Sequence, residues 1–194
     1  TASYLIDTDK LNEFAKPVYI KRDVIREWET IAKTKETEKL STLAPELIEI
    51  ATQSMSIIAF SPDERNILYT ATAAATIPQI ITPPLIGTNP TEDVRDIKPY
   101  SIYTYDIKED RNYLIGDATA LKLQWMPTSR HLITVSKDMI EAMDYDGTNR
   151  KTIYAGPFWD AFVAPWTSAN KLVILTNLIP TASTLPNLYA INIR

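Results

Sequence analysis

Short apolar runs separated by polar turns set the pattern of this chain, and one pairing of the two occurs three times. Phe60-Ser61-Pro62-Asp63-Glu64-Arg65 leads into Asn66-Ile67-Leu68-Tyr69, and Trp125-Met126-Pro127-Thr128-Ser129-Arg130 leads into His131-Leu132-Ile133-Thr134. A looser third copy, Trp166-Thr167-Ser168-Ala169-Asn170, leads into Lys171-Leu172-Val173-Ile174-Leu175. In each, an aromatic residue closes one strand, a tight turn follows, and an apolar run opens the next. Trp125 and Trp166 then occupy equivalent positions and read as core. A supersecondary unit repeated about every 40 residues predicts a propeller or a solenoid.

A second element follows each copy: short strand-like runs at 102–108, 141–146 and 188–193, ending near Asp106, Asp144 and Asn192. A fourth run, with Asp7, opens the chain at 4–9. Further apolar strands follow at 18–20, 113–115 and 153–154. Leu121-Lys122-Leu123-Gln124-Trp125 alternates as a half-buried strand should. Lys137-Asp138 has the length of a tight hairpin connection. With strands labelled a to d, one four-stranded blade spans 55–116 and a second spans 121–156. A third, over 162–194, stops after its c strand, and residues 1–20 read as the end of a preceding blade. The expected fold is therefore mainly β and propeller-like: about three antiparallel blades and a half blade, in a single partial propeller domain over 1–194.

Two segments interrupt the repeat. Residues 21–54 read as a helical insertion, with Val24, Ile25, Trp28, Ile31 and Ala32 on one face. A second helix starts near Pro45 and buries Leu47, Ile48 and Ala51. Residues 73–99 hold five prolines among Ile77, Ile80, Ile81, Leu85 and Ile86, too many for a central strand. They read as a long b–c insertion. Strand parity places b–c and d–a connections at one end of a blade. The long segments 21–54, 73–99 and 177–186 are thus expected on one face, either covering an exposed edge or binding a partner.

Ser-Pro-Asp before an apolar strand, together with Met143-Asp144-Tyr145-Asp146-Gly147-Thr148-Asn149-Arg150 between two strands, resembles the repeats of TolB-type, WD40-like β-propellers. The arrangement is similar to the propeller of bacterial envelope proteins that carry PEGA domains. The resemblance covers residues 55–194 well and 1–20 weakly, and its motifs identify blades rather than function. It departs at Glu64, where a turn glycine is usual, and at Trp166-Thr167-Ser168, which lacks the Pro-Asp pair. It implies a cell-envelope or extracellular location, with a cytoplasmic one left open.

Composition narrows the function classes. With 45% hydrophobic and 23% charged residues the chain is ordinary globular protein, and a net charge of −4 argues against nucleic acid. No apolar run is long enough to span a membrane. Without cysteine there is no disulfide and no thiolate site. Four scattered glycines form no phosphate-cradling loop.

Candidate chemistry is sparse. Asp144 to Asn149 has oxygen ligands at calcium-loop spacing, but Ile153 stands where the bidentate Glu belongs, and an Asp-Gly hairpin explains the same residues. His131 is the single histidine, and no Gly-x-Ser-x-Gly elbow presents a serine to it. The pairs Asp63 with Glu64 and Glu109 with Asp110 lie in predicted turns, where solvation is the ordinary outcome. No catalytic residue, metal or cofactor is expected. The function expected is a non-catalytic interaction module for a protein or glycan, contacting it through Trp28, Ile80, Ile81, Leu85, Ile86, Phe158 and Trp159. Packing of these aromatics on the blades is the competing reading. The alternatives are an accessory propeller gating a larger hydrolase, or an assembly piece that self-associates through unpaired blade edges, with residues 18–20 as one source of the missing strand.

Overall fold

The computed structural model describes residues 3–5, 13–14, 16–118, 122–136, 138–159, 162–177 and 185–193. Asp7, Leu121, Lys137 and most of the loop 177–186 lie outside these. The chain divides into two units, residues 1–44 and 45–194. The helical stretch read at 21–54 is accordingly split between them.

In the first unit, β1 (Ser3–Leu5) and β2 (Lys16–Val18) pair antiparallel, Ser3 opposite Val18. Val18 is therefore already committed to a hairpin. α1 (Lys21–Leu40) follows, its threonines 30, 34 and 37 bonding back to carbonyls one turn earlier. It buries no residue, and Ile25, Trp28 and Ile31 of its apolar stripe are exposed.

The second unit is mainly antiparallel β. α2 (Pro45–Ser54) starts on its proline, buries Leu47 and Ala51, and runs directly into the first sheet. That sheet joins β3 (Met55–Phe60), β4 (Asn66–Ala71), β7 (Ser101–Asp106) and β8 (Arg111–Asp117) in that order. Between β4 and β7 the insertion carries a small hairpin of β5 (Ala75–Thr76) and β6 (Asp96–Ile97). The second sheet is β9 (Lys122–Trp125), β10 (His131–Val135), β11 (Met139–Asp144) and β12 (Lys151–Ala155). The third has three strands, β13 (Val163–Pro165), β14 (Lys171–Thr176) and β15 (Asn187–Asn192). Each sheet is a simple meander, its neighbouring strands consecutive in the chain except where the insertion with β5 and β6 separates β4 from β7.

Alternation along the strands gives each sheet two faces, and successive sheets share cores. Leu68, Ile102 and Ile115 of the first meet Trp125, Leu132 and Met143 of the second. The opposite face of the second, with Ile133, Val135 and Ile140, meets Val163, Leu172 and Ile174 of the third. Full burial of each such aliphatic side chain stabilises by about 1.5–3 kcal/mol.

The recurring turn recurs in backbone hydrogen bonding. The N–H groups of Glu64, Ser129 and Ala169 donate to Ser61 O, Met126 O and Trp166 O. Each turn is closed by a 2.9 Å bond, from Ser61 N–H to Asn66 O, from Met126 N–H to His131 O and from Trp166 N–H to Lys171 O. Glu64, Ser129 and Ala169 share left-handed φ values of 60°, 61° and 58°. These bonds align Trp166 with Met126 and Ser61, not with Trp125. Trp125 is 9% exposed and Trp166 53%, so the reading of both as equivalent core residues is corrected by one position. The slip arises because Pro165, not an aromatic residue, closes β13.

Candidate functional site

The insertion between β4 and β7 leaves and re-enters the first sheet at the end opposite the 107–110 turn. It does not stay there. Ile77 and Ile97 are buried, and Lys98 N–H donates to the Tyr103 hydroxyl at 2.9 Å, on the face of the sheet turned away from the second sheet. The segment then runs beside β8: Val94 N–H donates to Asn112 O at 2.7 Å, and Asn112 N–H to Asp93 Oδ1 at 2.9 Å. It ends at the turns joining β7 to β8 and β11 to β12.

Two buried carboxylates hold it there. Asp110 is 3% exposed. Its Oδ2 accepts Ile80 N–H at 2.7 Å and Ile81 N–H at 2.8 Å, while Oδ1 accepts the Tyr105 hydroxyl at 2.7 Å and Arg95 Nη1 at 3.2 Å. Arg95 also donates to Asp110 O, to Pro78 O and to Asp93. Burial disfavours the Arg95 charge, but Asp93 and Asp110 outweigh it and hold the guanidinium protonated. Burial, reinforced by Asp110, pushes the Tyr105 phenol up and keeps it a donor.

The second carboxylate is Asp146, in the hairpin closed by Gly147 N–H to Asp144 O. Its Oδ2 accepts Asn89 Nδ2 at 2.8 Å and Thr91 Oγ1 at 2.6 Å, and its Oδ1 accepts the Thr148 N–H and hydroxyl. Burial would raise its pKa, but the bonds from Thr91, Thr148 and Asn89 prevail and hold it below the usual carboxylate value. Asn89 N–H donates to Glu109, and Arg111 donates to Thr88 Oγ1 and Thr91 O.

With its flanks at 80–81 and 88–91 pinned, the insertion presents residues 82–87 outward. Leu85 is exposed, Ile86 fully so, and Gly87 turns the chain at φ +77°. A small cavity of about 80 Å³ lies beneath, lined by Gln79, Ile81, Leu85, Arg95, Glu109 and Arg111.

Placed on this frame, the residues of the second unit expected to bind fall at separate places. Ile80 and Ile81 are half-buried and serve as the tether; Leu85 and Ile86 form the tip. Phe158 packs edge-on to Tyr154 and onto the core of the second and third sheets. Trp159 is exposed, its N–H bonded to Leu175 O, at the opposite end of the strands from the tip. Trp28 lies on α1, in the first unit, and is 56% exposed. The insertion 73–99 does not keep to the one face expected of it, because it crosses its sheet from end to end. Of the turn carboxylates expected to be solvated, Asp63 and Glu64 are exposed, and Asp110 is the correction, since it is buried. What the sequence reading missed is the set Arg95, Asp110, Arg111 and Asp146; two acidic turns opposite a proline-rich segment with one arginine were the available signal.

His131 begins β10 opposite Asp144, with Nε2 3.3 Å from Asp144 Oδ1 and Nδ1 3.2 Å from Thr128 Oγ1. Asp144 also accepts Asn149 Nδ2 at 2.6 Å. This is a cross-strand pair across a turn. No helix among the described residues is long and apolar enough to cross a membrane. Compared with models of known protein families and with curated proteins, the chain matches none.

Proposed function

We propose that the second unit is an arc of a β-propeller, of the TolB-type and WD40-like kind, and that it acts as a non-catalytic interaction module. Meander sheets stacked in chain order, each opened by the same turn, support the propeller reading. The resemblance of the repeats supports a place in the cell envelope or outside the cell. The engagement of His131 by Asp144 and Thr128 supports a structural role for the one imidazole.

One observation carries the binding role: Leu85 and Ile86 stand in water on a segment whose two flanks are fixed by Asp110, Glu109, Arg111 and Asp146. Exposed aliphatic side chains on a preorganised loop lose little entropy when covered, which favours a protein partner over a glycan. Replacing Leu85 and Ile86 together by serine should abolish capture of a protein partner from envelope extracts while the circular dichroism stays unchanged. Undiminished capture by the doubly substituted chain overturns the reading, and glycan binding lost only on Trp159→Ala would move the site to the opposite end.

A further inference from the structure

Four buried side-chain atoms have no hydrogen-bond partner among the described residues: Asn66 Oδ1, Thr104 Oγ1, Tyr113 OH and Arg111 Nε. They share one patch. Asn66 on β4 stands opposite Asp106 on β7, and Asp106 stands opposite Arg111 on β8. One row further along, Thr104 stands opposite Leu68 and Tyr113. Directly opposed residues of antiparallel strands point to the same face, and Leu68 belongs to the core shared with the second sheet. The patch therefore lies on the face turned to the second sheet, with Asp106 at its centre.

The same position recurs in the other sheets. His131 and Asp144 hold it in the second, and Lys171 and Asn192 in the third. Those pairs reach water, the first partly and the second fully exposed. In the first sheet Asn66 is 6% exposed and Asp106 7%, so their polar atoms need partners within the protein. One oxygen of Asp106 has them: Oδ1 accepts the N–H groups of Lys108 and Glu109, both at 2.9 Å. A buried carboxylate charge beside unused donors would draw at least one of them. The Thr104 and Tyr113 hydroxyls and the Arg111 Nε–H are such donors, and none turns to it. Arg111 gives its other nitrogens to Thr88 and Thr91. Asn66 Oδ1, which can only accept, is what lacks a donor. A protonated Oδ2 on the facing Asp106 supplies one.

We propose that Asp106 folds as a carboxylic acid whose proton is donated to Asn66 Oδ1, an acid–amide bridge that latches β4 to β7 in acid and opens as pH rises. Burial pushes the Asp106 carboxyl up and the charge of Glu109 adds to the rise, against the bonds from the Glu109 and Lys108 N–H groups. Arg111 and Tyr113 face it from β8, and Tyr145, with Asp146 beside it, from the hairpin of the second sheet. Burial pushes both of these phenols up and keeps them neutral. Arg65, before Asn66, faces Asp63 at the surface. A carboxyl whose folded value lies above its unfolded one stabilises the fold fully below the unfolded value, and the contribution is lost as pH rises through the folded one. Asp106 thus answers to pH in the opposite sense to Asp146. Its turn also carries Glu109 and Asp110, the tethers of the insertion. The latch does not depend on what the Leu85–Ile86 tip binds.

The carbon resonance of the Asp106 side-chain carboxyl, followed by NMR in the folded protein, reads the bridge directly. Its titration midpoint should lie above the usual carboxylate value. Asn66→Ala removes the acceptor of the protonated form and should move that midpoint down. If Asn66 instead turns its amide N–H to a carboxylate, the same substitution moves the midpoint up, which overturns the proposal. An unmoved midpoint overturns it as well, because the proton then goes elsewhere. Asp106→Asn gives a second reading that does not require Asn66→Ala to fold. Its Nδ2 places a permanent donor opposite Asn66 Oδ1. Its urea midpoint should match that of the unaltered protein in acid and exceed it once pH has risen through the Asp106 titration. A difference that ignores pH, or one that favours the unaltered protein increasingly as pH rises, shows no such latch and overturns the proposal.

Discussion

Asp110 sits at φ +52°, in the left-handed region where glycine is the usual occupant, and its carboxylate accepts donors from Ile80, Ile81, Tyr105 and Arg95. Residues with side chains cost roughly 1–2 kcal/mol in that region, and the four bonds offset it. Asp146 works by the same chemistry without the strain of its own φ. Because its folded pKa lies below the usual carboxylate value, ionisation favours the folded state. That contribution is complete above the unfolded value and is lost as pH falls through the folded one. Acidification through that lowered value should therefore free the 88–91 segment, seen as faster hydrogen exchange at Asn89 and Thr91. Asp146→Asn should lose this pH dependence and cost on the order of 1–3 kcal/mol at neutral pH, by urea unfolding. Exchange at Thr91 that ignores both pH and the substitution would show that Asp146 does not hold the segment.

At the scale of elements, the turns were the most legible part. Apolar alternation set the strands, and the strands set the meander, so each expected strand of the three sheets overlaps an observed one, although Ile107, Lys108, Tyr145 and Asp146, read into strands, lie in turns. What the pattern could not set was phase in the third copy, where Pro165 in place of an aromatic moved the frame by one residue. It also could not set the path of the insertion, because its tethers join residues far apart in sequence. Ile80 and Asp110 are 30 positions apart, and Asn89 and Asp146 are 57. Of the site, the exposed Leu85 and Ile86 were legible as apolar residues in a proline-rich loop. The carboxylates that fix them were not, since burial of a turn carboxylate depends on what folds over it. The turns themselves give opposed predictions. Ala169→Gly, at φ +58°, should raise stability by about 0.5–1 kcal/mol by relieving left-handed strain. Gly147→Ala, at φ +84° and with its new Cβ 3.0 Å from Leu114 O, should lower it by about 1–2 kcal/mol. Thermal unfolding reads both, and shifts of the same sign would refute the backbone argument.

At the scale of the second unit, the sheets form a series with unequal protection. The first is covered on one face by the second sheet, and on the other the insertion is tied to it by the Lys98–Tyr103 bond. The second is covered on both faces by its neighbours. Among the described residues the third shares a core on one face, and Leu188 on its other face stands exposed. Units whose contacts run to nearest neighbours unfold from the less supported end. Leu132 and Leu172 are both fully buried, the first in the core between sheets one and two, the second in the core between two and three. Each should cost about 2–5 kcal/mol as alanine, yet differ in reach. Leu172→Ala should speed hydrogen exchange in β14 while β4 and β7 keep their protection. Leu132→Ala should speed exchange in all three sheets, because the third cannot persist once the second opens. Equal acceleration everywhere in both variants would show one cooperative block in place of a series.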